Sequence, residues 1–521
     1  MTLVAPSTSG TFDYMVSVSK SGCATQSATK LVSVTGCSSQ LAVTNKPSFD
    51  TFDYQPITSN LNAWPEYDNT VHRGVAIGEK VTLRNSQIEI QVWKNFGGAV
   101  AHVSVPYGPN KINQNDWGRG LATTIYRGGR TRQIESQNKD IQTAWAQAWG
   151  TTASGGGVGN NPIQIGDTYD NPAVVVQMGY TANMIYTKSV MMNWAVRNDP
   201  TDVILEQWVW LDGPAARVKV KMTHNRVMDQ TAYEARSNEY PNFIVNAAYK
   251  YNAHVGPSGN IEYLTGWNQT PVPNGENWCA MVTDASPAAQ GVGLWRPGFY
   301  STSQFRYAPS DHDGEDPNSP YAFLANPAVY SVANQSIIWD WNGTYYNEYA
   351  VLVGSAQTIR SWANAQADPR NTLAWKFNSK NGRGWFHYGK AVDTGYPTPD
   401  TGIEVTPISG GTFVDIHWPR VAIAASSVSS LYIRYKASST WPTSNVLKAG
   451  RIGQAANEYD GQQAAVNLVC DNTWRTVQIP VSSISGWSGK IQNVQLTTLS
   501  VPAGAKLAIQ WINTVNADPE P

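Results

Sequence analysis

Five carboxylates stand among aromatic or glycine-rich neighbours: Asp116 (NDWGR), Asp167 (IGDTYDN), Glu206 (LEQW), Glu239 (NEYP) and Glu276 (GENW). Cleaving a glycosidic bond takes two carboxylates facing each other, roughly 5 Å apart for retention or roughly 6.5–9.5 Å for inversion. These five are therefore the candidates for acid and base, with Glu239 and Asp116 foremost because loops carry function disproportionately. Plainer roles exist for them: Asp116 with Arg119 as an ion pair closing a turn, Glu276 capping a strand end. A second set, His224, Asn225, Arg226 and Tyr240 with Arg119, has the residue types that abstract the C5 proton of a uronate and neutralise its carboxylate. Trp117, Trp208 and Trp278 beside these groups offer rings that stack on sugar faces, and Arg119 and Arg226 offer donors to a substrate.

The elements that must position them centre on residues 202–242, where two strand-like runs meet at a Gly-Pro turn. Residues two apart on a strand share a face, so Glu206, Trp208 and Trp210 point together. Val218, Val220, Met222, His224 and Arg226 share another face, with Lys219, Lys221, Thr223 and Asn225 opposite. That separation of Asn225 from His224 and Arg226 weighs against the proton-abstraction set. The plainest role for the whole concentration is a ladder of cross-strand ion pairs.

Asp311, Asp313 and Glu315 alternate in DHDGEDPN around a turn at Gly314, which partly matches the spacing of calcium-loop oxygens. They form the candidate site for a structural calcium ion, the other outcome being a solvated acidic loop. No catalytic cofactor is expected. The chain has no GxxxxGK[ST], GxSxG or HExxH, which argues against the common nucleotide, esterase and zinc-protease chemistries.

With 521 residues, the chain exceeds what one hydrophobic core sustains, so two or three domains are expected. Only 14% of residues are charged, against 21 Trp, 25 Tyr, 43 Gly and 30 Pro, which favours a sheet-rich, turn-rich chain of extracellular type. A net charge of -1 provides no field for nucleic acid or an anionic membrane, and no apolar run is long enough to span a bilayer. The expected partner is a polysaccharide or oligosaccharide, bound by a monomer. The chain starts inside what reads as a strand, so secretion with a removed signal is expected. Of the four cysteines, at 23, 37, 279 and 470, Cys23 and Cys37 could close one short loop, and two unpaired buried thiols would be as ordinary.

From residue 47 to 396 short strands follow one another between Gly, Pro, Asn and Asp turns, without long helical periodicity. Thr131–Trp149 reads as a long loop with helical turns. The pattern predicts two large antiparallel sheets packed face to face. After GYPTPDTG come evenly spaced strands that predict a smaller jelly-roll β-sandwich. The expected organisation is 1–41, 42–396 and 397–521, all β.

RNSQIEIQVWKNFGGAV, Asp116-x-Gly-Arg119, EQWVWL and THNR resemble the supersandwich of galactose-mutarotase-like proteins and of several polysaccharide lyases and glycoside hydrolases. TFDYMVSVSKSGC resembles the closing strands of immunoglobulin-like repeats in secreted multimodular bacterial proteins, and WRTVQIP and IQWIN resemble carbohydrate-binding modules. The resemblance implies a secreted bacterial enzyme that cleaves polysaccharide, a hydrolase before a lyase. Its non-enzymatic rival is a glycan-binding or adhesion protein.

Overall fold

The computed structural model describes residues 10–18, 26–34, 64, 66–72, 75–112, 121–125, 133–134, 139–140, 162–167, 171–194, 198–224, 236–246, 248–256, 258–265, 268–273, 276–296, 301–307, 328–337, 343–366, 372–378, 385–389, 391–394, 399, 401–418, 421–451, 462–481, 484 and 487–519. The chain divides into two compact units, Met1–Tyr54 and Gln55–Pro521. In the first, Gly10–Val18 and Gln26–Val34 pair as an antiparallel hairpin. Cys23 and Cys37, and the acidic run holding Asp311, Asp313 and Glu315, lie outside the described residues.

The second unit is built of antiparallel sheets. Its larger part carries strands β1 (Met184–Asn193), β2 (Pro200–Asp212), β3 (Ala215–His224), β4 (Trp278–Val282), β5 (Gln290–Trp295) and β6 (Gly343–Ser355), followed by helix α1 (Ala356–Asn364). Among the described residues these strands belong to a ten-stranded sheet in the spatial order Pro162–Ile163, β1, β2, β3, β6, β5, β4, Tyr251–Val255, Ile261–Thr265, with Val174–Tyr180 also paired to β1. A nine-stranded sheet runs from Asn268–Pro273 through Arg236–Asn246 to Glu66–His72.

Alternation decides how the two sheets meet. Val203, Leu205 and Val209 of β2 and Val218, Val220 and Met222 of β3 share one core with Val81, Ile90, Val100 and Phe243 of the nine-stranded sheet. Gln207, the polar residue in that inward series, is satisfied at both ends: its Nε2 donates to the Gly98 carbonyl (2.9 Å) and its Oε1 accepts from Gln164 Nε2 (3.1 Å). The Gly-Gly turn is needed as glycine, because a Cβ on Gly97 would lie 1.9 Å from the Gln164 carbonyl oxygen.

α1 closes the other face of the ten-stranded sheet at one end. Ser355 caps it by accepting from Thr358 N (3.0 Å), and Ala356, Ile359 and Ala363 pack on Trp278, Trp295 and Leu352. The sequence analysis missed this helix, which is too short for its apolar stripe to stand out among strands. Of Thr131–Trp149, Gln133–Ile134 and Lys139–Asp140 pair as short strands, and the remainder lies outside the described residues.

Among the described residues the smaller part is a pair of six-stranded sheets around a second core. One contains β7 (Phe386–Tyr388), β8 (Thr412–His417), β9 (Ser444–Arg451), β10 (Gln462–Asn467) and β11 (Lys490–Val501), in the order β7, β8, β11, β9, β10. That core begins early, drawing on Leu373, Phe377, Trp385 and Ala391 as well as on later strands.

Candidate functional site: a polar ladder on the ten-stranded sheet

The hairpin of β2 and β3 sets the site's register. Gly213 takes φ +58 at the first central position of the two-residue turn, which an L side chain disfavours, and Asp212 pairs with Ala215. Stepping back along β2 and forward along β3 puts Glu206 across from Lys221, Trp208 across from Lys219 and Trp210 across from Arg217. The neighbouring strands extend these pairs into rows. Lys188, Glu206, Lys221 and Tyr346 make one, and Tyr186, Trp208, Lys219 and Glu348 the next. The third runs Met184, Trp210, Arg217, Ala350, Trp295, Trp278.

All three rows lie on the face turned away from the core shared with the nine-stranded sheet. In the first two, Glu206 accepts from the Tyr186 hydroxyl at Oε1 (2.9 Å) and pairs with Lys221 Nζ at Oε2 (3.0 Å). Burial first, and then the adjacent Glu206 carboxylate, push the Tyr186 phenol well above its ordinary range, so it stays a proton donor. The Tyr186 ring leans on Trp208 with centroids 5.2 Å apart. The Lys221 side chain is 28% exposed and Glu206 9%, so this cluster sits where the buried ladder meets solvent.

Deeper in, Arg217 donates to Glu348 Oε1 from Nε (3.0 Å) and Nη2 (2.5 Å), and from Nη1 to Asp212 Oδ2 (3.2 Å) and Gln366 Oε1 (2.9 Å). Its guanidinium carbon lies 5.9, 5.3 and 5.6 Å from the ring centroids of Trp210, Trp295 and Trp362. Lys219 Nζ reaches Glu348 Oε2 at 3.7 Å. Two cations therefore share one buried carboxylate.

The expected site residues fall in different places. Glu206 is on the ladder. His224 is on the opposite face of β3, buried and edge-on to Tyr345 with centroids 4.8 Å apart. The two runs of residues 202–242 thus present their noted side chains to opposite faces, and the chain has passed to the nine-stranded sheet by Arg236–Asn246, which holds Glu239 and Tyr240. Glu276 is gripped by Arg360 of α1, which donates from Nε and Nη2, and it accepts from Trp278 Nε1 (2.6 Å); it staples helix to sheet. Asp167 accepts from Asn171 N (3.0 Å) and Asn198 N (2.5 Å) and ties two loops. Trp208 and Trp278 have 0% exposure, so their rings pack instead of facing solvent. Asp116, Trp117, Arg119, Asn225 and Arg226 lie outside the described residues, as do the side chains of Glu239 and Tyr240.

Tyr186, Lys219, Lys221, Arg217 and Glu348 are what sequence reasoning missed. The β3 cations were legible, because the two-residue turn alone sets Lys221 opposite Glu206. Glu348 was not, since nothing local joins β3 to β6.

Cys279 is buried and Cys470 half-buried. Among the described residues no group of three His, Cys, Asp or Glu could hold a metal ion, and no helix is long and apolar enough to cross a membrane.

No family model and no curated protein matches the chain. Similar solved structures include a galactose mutarotase-like protein from Lactobacillus casei, at 9% identity and a TM-score of 0.31 over 53% of this chain and 99% of that one. A galactose mutarotase related enzyme from Lactobacillus acidophilus gives 8% identity and 0.29 over 53% and 98%. A family 11 carbohydrate-binding module from Clostridium thermocellum gives 13% identity and 0.21 over 27% and 94%.

Proposed function

We propose that this chain is a secreted carbohydrate-active enzyme that hydrolyses a polysaccharide, with Glu206 as its attacking or water-activating carboxylate. The observation that carries the reading is the Tyr186–Glu206–Lys221 cluster, at the solvent edge of an otherwise buried ladder. Tyr186 on one oxygen and Lys221 on the other fix the orientation of a carboxylate of the type that attacks or activates water in glycoside hydrolysis. Protonating the leaving oxygen falls to a second carboxylate, for which Asp116 and Glu239 remain the candidates. Glu276 is set aside because it staples helix α1 to the sheet through Arg360 and Trp278. The lyase alternative loses support, since its base His224 faces inward against Tyr345. Under this reading the protein acts as a monomer on a glycan, without nucleic acid, membrane or catalytic cofactor, and any calcium at Asp311, Asp313 and Glu315 is structural.

The test is a screen of the purified chain against plant and algal polysaccharides, following new reducing ends and the absorbance of unsaturated uronates. Reducing ends without the unsaturated signal are expected. Glu206→Gln should then lower turnover by roughly 10²-fold or more, the worth of a positioned acid or base. Both signals together would establish the lyase, and binding with neither would reduce the chain to a glycan binder. Full activity in Glu206→Gln alongside dead Glu239→Gln and Asp116→Asn would keep the hydrolase and discard this assignment.

A further inference from the structure

Exposure on the outward face of the ten-stranded sheet changes row by row. The rows of Trp210 with Arg217 and of Tyr186, Trp208 and Lys219 are buried. The row of Glu206 is the first that solvent reaches, and at its edge it gains Gln177 of strand Val174–Tyr180, so that Gln177, Lys188, Glu206 and Lys221 follow one another across four strands. Beyond it lie Val174, Val190, Ile204 and Thr223. Of these, Val190, Ile204 and Thr223 are half-buried and Val174 is 53% exposed, while Val176, in the bulge of the same strand, is 49% exposed. A molecule approaching Glu206 therefore comes over this open strip and not over the buried rows.

The Glu206 row holds two ammonium groups and one carboxylate. Glu206 has committed Oε1 to Tyr186 and Oε2 to Lys221. Lys188, half-buried on the opposite flank, donates no hydrogen bond and makes no ion pair among the described residues. A lysine in open solvent needs no partner, but half-burial strips an ammonium of part of its hydration, and here the adjacent carboxylate pairs elsewhere. One positive charge is thus left over beside Glu206, on the side from which a ligand arrives. The chain's net charge of -1 supplies no long-range attraction, so this charge acts by contact.

We propose that the glycan acted on at Glu206 is acidic, and that Lys188 binds its carboxylate or sulfate ester. An ammonium is a compact point charge on a flexible stem and pairs with either anion. The valine and isoleucine methyls beside it suit the C–H face of a sugar ring, in the usual division of a ligand site between apolar lining and a few placed polar groups. Lys188 stands one strand spacing from Glu206, roughly 4.8 Å, so the acid group it holds belongs to the reacting sugar or to its neighbour. The inference rests on the carbohydrate reading of the Glu206 face, and it concerns recognition and not turnover.

Binding of the full chain should be measured on immobilised polygalacturonate and carrageenan, each beside its neutral form, the methyl ester and the desulfated polymer. We expect at least one charged polymer to bind roughly tenfold more tightly than its neutral form, the worth of a hydrogen bond to a charged group. A preference for polygalacturonate alone names the carboxylate, for carrageenan alone the sulfate, and for both a site that reads charge without regard to the acid. Lys188→Met should erase the preference and Lys188→Arg should keep most of it. Neither should move the unfolding temperature, because Lys188 holds no partner in the fold; if Lys188→Met lowers it, Lys188→Gln provides the same reading. Equal binding of charged and neutral forms, or a preference that survives removal of the Lys188 charge in folded protein, overturns the proposal even where neutral polysaccharides are hydrolysed. A Lys188-dependent preference without any hydrolysis sustains it and sinks the enzyme instead.

Discussion

At the scale of single residues, the carboxylates differ in what holds them. Glu206 sits between a phenol and a part-exposed ammonium on one sheet face, whereas Glu276 ties helix α1 to the sheet through Arg360 and Asp167 ties two loops through their amides. Tyr186→Phe tests the environment of Glu206. Losing one hydrogen bond to the carboxylate should lower turnover far less than replacing the carboxylate itself in Glu206→Gln, so a kcat in Tyr186→Phe as low as in Glu206→Gln would make the phenol, not the carboxylate, the principal group. A second residue prediction concerns acid stability. Burial pushes the Glu89 carboxyl up, but hydrogen bonds from Arg84 and the Tyr107 amide outweigh it and hold the group at about 2. In the unfolded chain a glutamate titrates near 4.3 on average. The unfolded state therefore binds more protons between those values, and the stabilisation, complete above about 4.3, is lost as pH falls through about 2. Urea unfolding between these pH values should show a shallower pH slope for Glu89→Gln than for the parent; equal slopes would mean that other carboxylates govern this range.

At the scale of elements, the row through β2, β3 and β6 behaves as one unit. Arg217 and Lys219 lean on the single carboxylate of Glu348, and all three are buried. Removing the anion takes the carboxylate from Lys219 and leaves Arg217 only Asp212 as an acidic partner, so Glu348→Gln should cost about 3 kcal/mol. Lys219→Met should cost clearly less, because Arg217 still satisfies Glu348 and the new side chain packs beside Trp208. Denaturant midpoints at unchanged m-value give the comparison, and equal losses in both variants would show that Lys219 is as indispensable as the carboxylate. The strand pattern of this row was legible in the sequence, including which of Glu206, Trp208 and Trp210 share a face. Its membership was not: β3 meets β6 across more than a hundred intervening residues, and period-two alternation says nothing of the partner strand.

At the scale of the whole molecule, the second core sets where the chain can be cut. Leu373, Phe377, Trp385 and Ala391 pack with strands beyond residue 400, and Trp375–Lys376 pairs with Leu507–Asn513. A truncation after Gln366 retains the Arg217 contact and removes the second core entirely. It should stay soluble and keep activity on short oligosaccharides. A truncation after Pro397 leaves those apolar side chains without their partners and should bind a hydrophobic dye or aggregate. If the Gln366 product unfolds as well, the two sandwiches stabilise each other.

What the sequence by itself determined was local: an all-β chain, the faces on which neighbouring side chains lie, and a hairpin at Gly213-Pro214 whose register places Glu206 opposite Lys221. These follow from backbone sterics and the two-residue period of a strand, which act over a few residues. Tertiary structure alone decided that the stretch after His224 crosses to another sheet and that Glu348 completes the ladder. It also enclosed Trp208 and Trp278, rings whose type and neighbours suggest an exposed platform. A strand's own sequence specifies which face is apolar, but which sheet covers that face, and which distant carboxylate settles beside a lysine, depends on the packing of the whole chain.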